Sequence, residues 1–448
     1  MTRRPSLKST LGFYLLSMGS ALGLGNLWRL PFVMGENGGG AFFLFYILFA
    51  FLIGLPLLIA ELMLGQKTGM SALKVTEQLS KETRRPYLIF GVLSIILSVI
   101  VLSYYSVISG WVLHFLARFT TDVLLQRGQP FGFDVLLENG WLQILLTSVH
   151  LLLIVMIVSV GIQQGLEKWI RTIVPIFLIF VAVLLSKTLT LPTTTDVLRF
   201  LFYPDFSKIS WETMNRALAH VFFTMSVGFG LMVSFGAFLK QDEHLPTLGF
   251  RITMIDIFVS VLALLFVFPV AFQGSQRLNS DPILLFNVVP QFFQNMKGGS
   301  FFGILFFLCL YLASLNASLA LMESLIANVQ SLKTELSRKT AVWSCSLLIL
   351  FMTAIWVLIP SFVHPESGPA VLEFLDNVAI NWILPVVALG LLLTFHRALT
   401  DAEKTEYFVD KDRFVSVVME SHWRFVVLWL APALIGLGLV LQLVGLLV

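Results

Sequence analysis

The stretch Ser20–Arg29, which reads SALGLGNLWR, decides the fold of this chain, because it interrupts an apolar segment long enough to cross a membrane. Gly23 and Gly25 weaken the helix, since glycine costs roughly 1 kcal/mol relative to alanine in a helix interior. Asn26 and Arg29 lie beside them, and hydrocarbon disfavours both side chains. Backbone that leaves the helix at membrane depth is tolerated only where it is buried in protein or lines a cavity. The stretch therefore predicts a binding site inside a broken membrane helix.

The composition of the whole chain indicates a membrane protein. Of its 448 residues, 57% are hydrophobic and 12% are charged, with a mean hydropathy of +0.88, whereas soluble proteins carry about 25% charged residues. A helix needs about 20 apolar residues to cross a bilayer, and on this basis we count eleven spans. They cover roughly residues 10–33, 41–64, 87–118, 141–160, 167–187, 212–239, 250–272, 300–330, 340–361, 370–397 and 423–447.

We therefore predict an all-α polytopic membrane protein with a single transmembrane domain over residues 1–448. The first span begins ten residues in and no cleavage site follows it, so we expect no removable signal peptide. Twenty of the 29 Lys and Arg residues lie on the side of the N-terminus, eight lie on the other side, and Arg29 lies within a span. The positive-inside rule then predicts a cytoplasmic N-terminus. The odd number of spans places the C-terminus outside.

Other classes of protein find little support in the sequence. The net charge of +3 follows from the loop pattern and does not indicate binding to nucleic acid. Cys309 and Cys345 both lie in apolar spans, where we expect free thiols rather than a disulfide. The sequence shows no metal-ligand spacing, no phosphate-binding glycine loop and no set of nucleophile, histidine and acid. We therefore do not expect an enzyme.

A second interruption lies in the sixth span, which reads AHVFFTMSVGFG over Ala219–Gly230. A Gly-x-Gly pair again stands beside polar side chains, here Thr224 and Ser226. Spans one and six occupy equivalent positions in two sets of five spans, and paired interruptions of this kind indicate the midplane site of a transporter. The alternative is two glycine-rich packing faces, since small residues are common where membrane helices cross. The hydroxyl and amide groups beside the glycines favour the binding site.

Six motifs in this order resemble the neurotransmitter:sodium symporters, and within them the shorter bacterial amino-acid transporters with eleven helices. They are GLGNLWRLP at Gly23–Pro31, ENGGGAF at Glu36–Phe42, GLPLLIAELMLGQ at Gly54–Gln66, the pair Tyr104 and Tyr105 followed by Trp111, Gly165 followed by Pro175, and FFTMSVGFG at Phe222–Gly230. The resemblance extends from about Leu7 to Leu399. It implies the leucine-transporter fold, with inverted repeats over about 10–187 and 212–397, broken helices 1 and 6, and a peripheral helix at 423–447. It also implies sodium-coupled symport of amino acids by alternating access.

The resemblance places the substrate between the two interruptions. The carboxylate would contact backbone amides and a tyrosine hydroxyl, and the ammonium would contact carbonyls and a serine hydroxyl. Helix ends suit both charges, since free amides attract anions and free carbonyls attract cations. Gly23 replaces the aspartate of monoamine carriers and the pocket is mostly apolar, so we expect hydrophobic or aromatic amino acids. The implied contacts are Ser20, Ala21, Leu24, Gly25, Val101, Tyr105, Phe223, Thr224, Ser226, Phe229, Ala317 and Leu321.

Two sodium sites are implied by the same resemblance, both built from the oxygen ligands that hard cations prefer. Ala317 stands where the family has a serine in the second site, so we expect that site to be weak, altered or absent. Asp256 could supply the negative charge that animal members take from chloride, so we expect no chloride requirement, although Tyr46 and Ser260 match chloride-coordinating positions. The implied ligands are Ala21, Asn26, Thr224 and Asp256 for the first site and Gly19, Leu22, Ala313 and Asn316 for the second.

The family pattern also implies gates on both sides of the pocket. On the outer side Arg29 would pair with Asp376, because an isolated arginine at that depth is costly. On the inner side Arg4 matches a gate arginine, but Ser331 lies near the position of its usual acidic partner. Glu61 matches a position that supports the broken first helix through hydrogen bonds to its backbone.

Three alternatives to a sodium symporter stay open. A proton-coupled or sodium-independent carrier of the same fold would titrate Asp256 or His220, which replaces a glutamine beside the outer gate and belongs to a residue type that titrates near neutral pH. A sensor would bind an amino acid without accumulating it. An enzyme would need a nucleophile and a base, which the sequence does not bring together. By resemblance alone, we expect a multi-pass protein of a bacterial plasma membrane; the sequence indicates no oligomeric state.

Overall fold

The computed structural model of the protein describes residues 23–125, 132–241, 243–272, 284–333, 335–363, 367–408 and 420–447, and the regular structure in these ranges is helical. Nine of the helices are long and apolar enough to cross a membrane, which confirms a multi-pass α-helical protein. They correspond to predicted spans 2 to 5 and 7 to 11, and we keep these numbers. Their bounds are Gly40–Thr68, Leu88–Leu125, Gly140–Ser159, Glu167–Thr188, Leu245–Phe272, Gly299–Leu332, Arg338–Phe362, Gly368–Ala398 and Glu420–Gly445.

The first and sixth predicted spans consist of shorter pieces. The described part of the first span has a π-helical turn at Gly25–Arg29 and an α-helix at Leu30–Glu36. The sixth span has helices at Trp211–Thr224 and Leu231–Gly236. None of these pieces reaches membrane length, so the count of eleven spans stays a prediction. The interruption of the first span also stays one, because the half that precedes it lies outside the described residues.

Short helices occupy the connections between spans, and the hydropathy pattern did not predict them. They are Ala72–Thr83, Phe133–Glu138, Thr194–Phe202, Leu284–Asn295 and Asp401–Glu406, with a 3-10 turn at Phe206–Lys208. Single π-helical segments lie within or beside four long spans, at Ala50–Gly54, Ile162–Leu166, Asn377–Ile383 and Val426–Leu430. Such segments loosen the regular hydrogen-bond ladder and are frequent near functional sites.

The backbone of the sixth span leaves the helix between its two pieces. Ser210 caps the start of the outer piece by accepting a hydrogen bond from the Thr213 amide at 3.1 Å. After Thr224 the chain takes positive φ angles at Ser226 (56°), Gly228 (87°) and Gly230 (69°). Glycine adopts such angles at little cost, whereas other residues are strained there. The Gly-x-Gly pair therefore permits the turn that separates the two pieces.

Glycines also bring spans 2 and 6 into backbone contact. A Cβ atom on Gly65 would lie 1.9 Å from the Val233 carbonyl oxygen, and one on Gly236 would lie 2.4 Å from the Leu62 carbonyl oxygen. Neither position has room for a side chain. Small residues allow membrane helices to approach this closely, so the inner piece of span 6 packs directly on span 2.

Span 8 occupies the centre of the bundle and span 11 its edge. The most apolar 18-residue window of Gly299–Leu332 is 83% buried by the rest of the protein, against 28% for Glu420–Gly445. Span 11 nevertheless contacts the interior, because Trp423 Nε1 donates a hydrogen bond to the Pro56 carbonyl at 3.1 Å.

Candidate substrate and ion site

A cavity lies where the first, third, sixth and eighth spans meet. Eight of the implied substrate contacts line it, together with Gly23 and Asn26. Residue 25 has little room for a side chain, because a Cβ atom there would lie 2.8 Å from the ring of Phe223. The eight residues are Gly25, Tyr105, Phe223, Thr224, Ser226, Phe229, Ala317 and Leu321.

The other implied contacts lie outside this lining or outside the described residues. Leu24 and Val101 are fully buried and do not line the cavity. Arg4, Gly19, Ser20, Ala21 and Leu22 fall outside the described residues. The binding role of every one of these residues stays a prediction.

The Tyr105 hydroxyl faces the start of the described first span. The backbone amides of Leu24 and Gly25 are close enough to influence this hydroxyl. Tyr105 is only 2% exposed, so its side chain lies away from bulk water. The Tyr105 hydroxyl and the backbone of Gly25 both line the cavity, and a hydroxyl and an amide of this kind can hold an anion such as a carboxylate.

Asp256 of span 7 is the centre of a buried polar cluster beside the cavity. Asn26 Nδ2 donates to Asp256 Oδ1 at 3.0 Å, and the Tyr46 hydroxyl and Thr224 Oγ1 (3.3 Å) donate to Asp256 Oδ2. The Tyr46 hydroxyl also lies 3.3 Å from Ser260 Oγ. All five side chains are buried. A buried carboxylate is expensive in a membrane and usually functional, and this one has three side-chain donors, each on a different span.

An ion pair lies next to the cavity, on the side that the sequence predicts to be external. Arg29 Nε donates to Asp376 Oδ2 at 2.9 Å, and Arg29 Nη1 lies 2.9 Å from His220 Nδ1. The Arg29 guanidinium lies 5.6 Å from the centre of the Phe223 ring, a cation–π distance. The Tyr104 hydroxyl donates to the second oxygen of Asp376 at 2.9 Å. The sequence did not predict this contact of Tyr104 with Asp376, because Tyr104 stood out there only as the neighbour of Tyr105.

Glu61 supports the interrupted part of span 6 in this structure. Its Oε1 accepts a hydrogen bond from the Gly228 amide at 2.7 Å. The sequence led us to expect support of the first helix instead. Residues 1–22 lie outside the described part of the chain, so the contact with span 6 is the one that the structure establishes. The unwound segment has free amides, and a carboxylate is a strong acceptor for one of them.

Uncharged contacts occur on the side that the sequence predicts to be cytoplasmic, in the described part of the chain. Ser71 Oγ donates to Ser331 Oγ at 2.9 Å, and the Leu73 amide donates to Asn328 Oδ1 at 3.0 Å. These bonds join the start of helix Ala72–Thr83 to the inner end of span 8. Ser331 therefore makes a neutral contact at the position near which the family has an acid.

Two helical pieces separated by an unwound segment, with a cavity of mixed polar and apolar lining beside it, are typical of the secondary-transporter class. The model of the Sodium:neurotransmitter symporter family matches residues 4–128 and 133–446 of this chain. The chain therefore belongs to this family of sodium-dependent transporters, which contains carriers rather than enzymes.

Relatives and a solved structure agree with this assignment. An uncharacterized sodium-dependent transporter of Bacillus subtilis, YhdH, is 30% identical over 401 residues, which cover 88% of each chain. The bovine sodium-dependent neutral amino acid transporter B(0)AT2 is 26% identical over 60% of this chain and 40% of its own length. The crystal structure of MhsT in complex with L-phenylalanine has a TM-score of 0.86 and 27% identity, covering 98% of this chain and 99% of MhsT.

Proposed function

We propose that this protein is a sodium-coupled symporter that imports hydrophobic or aromatic amino acids by alternating access. The observation that supports the proposal is the adjacency of two sites. A cavity with an anion-holding group at Tyr105 lies next to the buried carboxylate of Asp256, and Asn26 and Thr224 belong to both. An ion bound by Asp256 would therefore stand beside the substrate carboxylate.

The side-chain end of the cavity suits an apolar substrate. Phe223, Phe229, Ala317 and Leu321 line it, and Gly23 adds no acid that could bind an amine in place of a carboxylate. MhsT was crystallised with phenylalanine, and the bovine relative is named a neutral amino acid transporter. Both names agree with a zwitterionic substrate for this chain.

We propose that the first sodium site is complete. Asn26, Thr224 and Asp256 supply side-chain oxygens, the resemblance adds the Ala21 carbonyl, and the substrate carboxylate completes the shell. Because ion and substrate share this shell, each would raise the affinity for the other by the same factor.

The second sodium site has a weaker basis, and we propose that it binds sodium less tightly than the first. Asn316 is fully buried, and neither atom of its carboxamide has a hydrogen-bond partner among the described residues. A buried polar group without a partner is costly, which supports a ligand or backbone partner from the first span. Ala317 offers no oxygen, so Asn316 would be the sole side-chain ligand there.

We expect Asp256→Asn to make uptake depend on chloride. Tyr46 donates to the carboxylate and Ser260 contacts Tyr46, and by resemblance both match chloride-coordinating positions of the animal members. The substitution removes the resident negative charge. Uptake of labelled substrate by the variant should fall about tenfold when gluconate replaces chloride. The loss of a single charge interaction changes an equilibrium constant by about a factor of ten. The wild-type protein should be unaffected. Equal chloride dependence in both proteins would contradict the proposal.

His220 discriminates between sodium coupling and the proton-coupled alternative. Arginine has only donors, so Nδ1 of His220 must accept the hydrogen bond from Arg29 Nη1. A glutamine oxygen can accept in the same way, and we expect His220→Gln to keep sodium-driven uptake within about threefold, whereas His220→Leu should lose about tenfold because it leaves a buried donor unpaired. Uptake between pH 6 and 8 would be measured for each. Proton-driven uptake that disappears in His220→Gln would instead favour proton coupling.

Proteoliposomes that hold the purified protein test the proposed function as a whole. Sodium, potassium or proton gradients would be imposed separately, and uptake of radiolabelled leucine and tryptophan would be measured. We expect accumulation with external sodium, loss of it in Asn26→Ala, and no competition by dopamine. Accumulation with protons alone would support the alternative carrier, and saturable binding without accumulation would support a sensor.

We propose that Arg29 and Asp376 form the outer gate, with Tyr105 and Phe229 beneath it, and that Arg4 contributes to the inner one. The positive-inside count supports a cytoplasmic N-terminus and an external C-terminus. A bacterial plasma membrane is the location we propose.

A further inference from the structure

The carboxamide of Gln442, near the end of span 11, contacts two other spans. It accepts a hydrogen bond from Asn215 Nδ2 of span 6 at 3.0 Å. It also faces span 10. In the opposite orientation of the carboxamide, its oxygen accepts from Trp382 Nε1 at 3.0 Å and its nitrogen donates to the Asn381 carbonyl at 3.1 Å. The nitrogen then lies 3.0 Å from the Asn215 carboxamide, which must turn its own oxygen towards Gln442 to keep a hydrogen bond there. With both carboxamides turned in this way, the Gln442 side chain has hydrogen-bond partners on two spans.

A glycine one turn earlier supports the same contact. A Cβ atom on Gly438 would lie 2.3 Å from Asn215 Oδ1, so the glycine lets the Asn215 carboxamide approach this helix closely. Residues four apart lie on the same face of a helix. Gly438 and Gln442 therefore present one face of span 11 to Asn215, the first through close approach and the second through a hydrogen bond.

The helices joined in this way are those joined by the outer ion pair. Asn215 lies on Trp211–Thr224, the piece that also contains His220, which contacts Arg29. Trp382 and Asn381 lie on Gly368–Ala398, the span that also contains Asp376. Gln442 thus links the outer piece of span 6 to span 10 by uncharged groups, in addition to the charged link through Arg29.

We propose that Gln442, Asn215 and Trp382 form a neutral outer latch, in which span 11 stabilises the closed state of the outer side. The name refers to these three residues. The gating role of the latch rests on the proposed function, since only a carrier has to open this side. Opening would separate the outer piece of span 6 from span 10, and an amide in apolar surroundings would then lose its partners. A hydrogen bond between membrane helices changes such an equilibrium about threefold on average.

Hydrogen–deuterium exchange of the full-length protein in detergent, read by mass spectrometry, tests the latch directly. In Gln442→Leu and in Asn215→Leu, amides in 211–224 and 368–383 should exchange about threefold faster than in the wild type. The double variant should exchange no faster than either single one, because both substitutions remove the same contact. Leu441→Ala and Val444→Ala are matched controls, since both side chains are exposed at the edge of the bundle, and they should leave exchange unchanged.

A second readout separates the latch from a purely structural role. With sodium present, the Kd for labelled leucine should rise about threefold in Gln442→Leu, because the closed state that retains substrate is less populated. Faster exchange confined to 426–445, or effects that add in the double variant, would overturn the latch. If wild-type liposomes show no uptake while the exchange results hold, the proposed function fails and the contact between the three spans stands.

Discussion

Replacing Asp256 by alanine should raise the sodium concentration needed for half-maximal amino-acid binding by at least about 100-fold. The carboxylate is fully buried and accepts hydrogen bonds from Asn26, Tyr46 and Thr224. Its removal takes away the charged ligand that we propose for sodium and leaves buried donors unpaired. Breaking a buried charged group of this kind costs about 3–5 kcal/mol, which corresponds to a factor of 100 or more in an equilibrium constant.

Sodium titrations of labelled leucine binding to purified protein would measure this effect. Ser260→Ala is the matched control, because Ser260 lies in the same cluster. Its hydroxyl lies 3.3 Å from the Tyr46 hydroxyl and, among the described residues, makes no hydrogen bond to the Asp256 carboxylate. We expect its sodium dependence to stay within about threefold of the wild type. An unchanged sodium dependence in Asp256→Ala would remove this residue from the ion site.

Replacing Glu323 by alanine should lower the free energy of unfolding by about 1.5–3 kcal/mol, because it removes the acceptor of two charged hydrogen bonds from Arg338. Arg338 Nη1 and Nη2 donate to the two oxygens of Glu323 at 3.0 and 2.5 Å. Arg338 Nε donates to the Val158 carbonyl at 2.9 Å. The pair therefore joins the inner ends of spans 4, 8 and 9, and the Glu323 side chain is only 2% exposed.

Thermal unfolding in detergent, followed by the loss of monomeric protein in size-exclusion chromatography, would show the destabilisation. The double variant Glu323→Leu with Arg338→Leu should recover most of the lost stability, since apolar side chains often replace a buried ion pair without loss. A single Glu323→Ala variant as stable as the wild type would show that the pair contributes nothing.

The sequence predicts the long spans well because each span is specified by its own apolar residues. The predicted second span, 41–64, is observed as Gly40–Thr68, and the predicted eighth, 300–330, as Gly299–Leu332. The observed helices are a little longer, because a helix can continue past the hydrocarbon into water, where hydropathy no longer marks it. The helix Ala72–Thr83 escaped prediction for the same reason, since it is largely polar.

The site depends on partners that the sequence does not place together. Asn26 and Asp256 bond to each other across 230 positions, and only the resemblance to a family assigned them to one cluster. Tyr104 and Tyr105 are adjacent in sequence, but neighbouring residues of a helix point about 100° apart. The motif could therefore show that two tyrosines matter without showing that Tyr104 bonds to Asp376. The sequence did not predict the contact of Gln442 with Asn215, because the two residues are 227 positions apart.

The glycine contact between spans 2 and 6 has a mechanical consequence. At Gly65 and Gly236 the two backbones touch with no side chain between them that could bend or change rotamer. Side-chain layers absorb small displacements, whereas two backbones in contact transmit them. A tilt of span 2 would thus turn the inner piece of span 6 with it, and the unwound residues 225–230 would take up the difference from the outer piece. We expect the pair to move as one lever, with residues 225–230 beside the cavity as its joint.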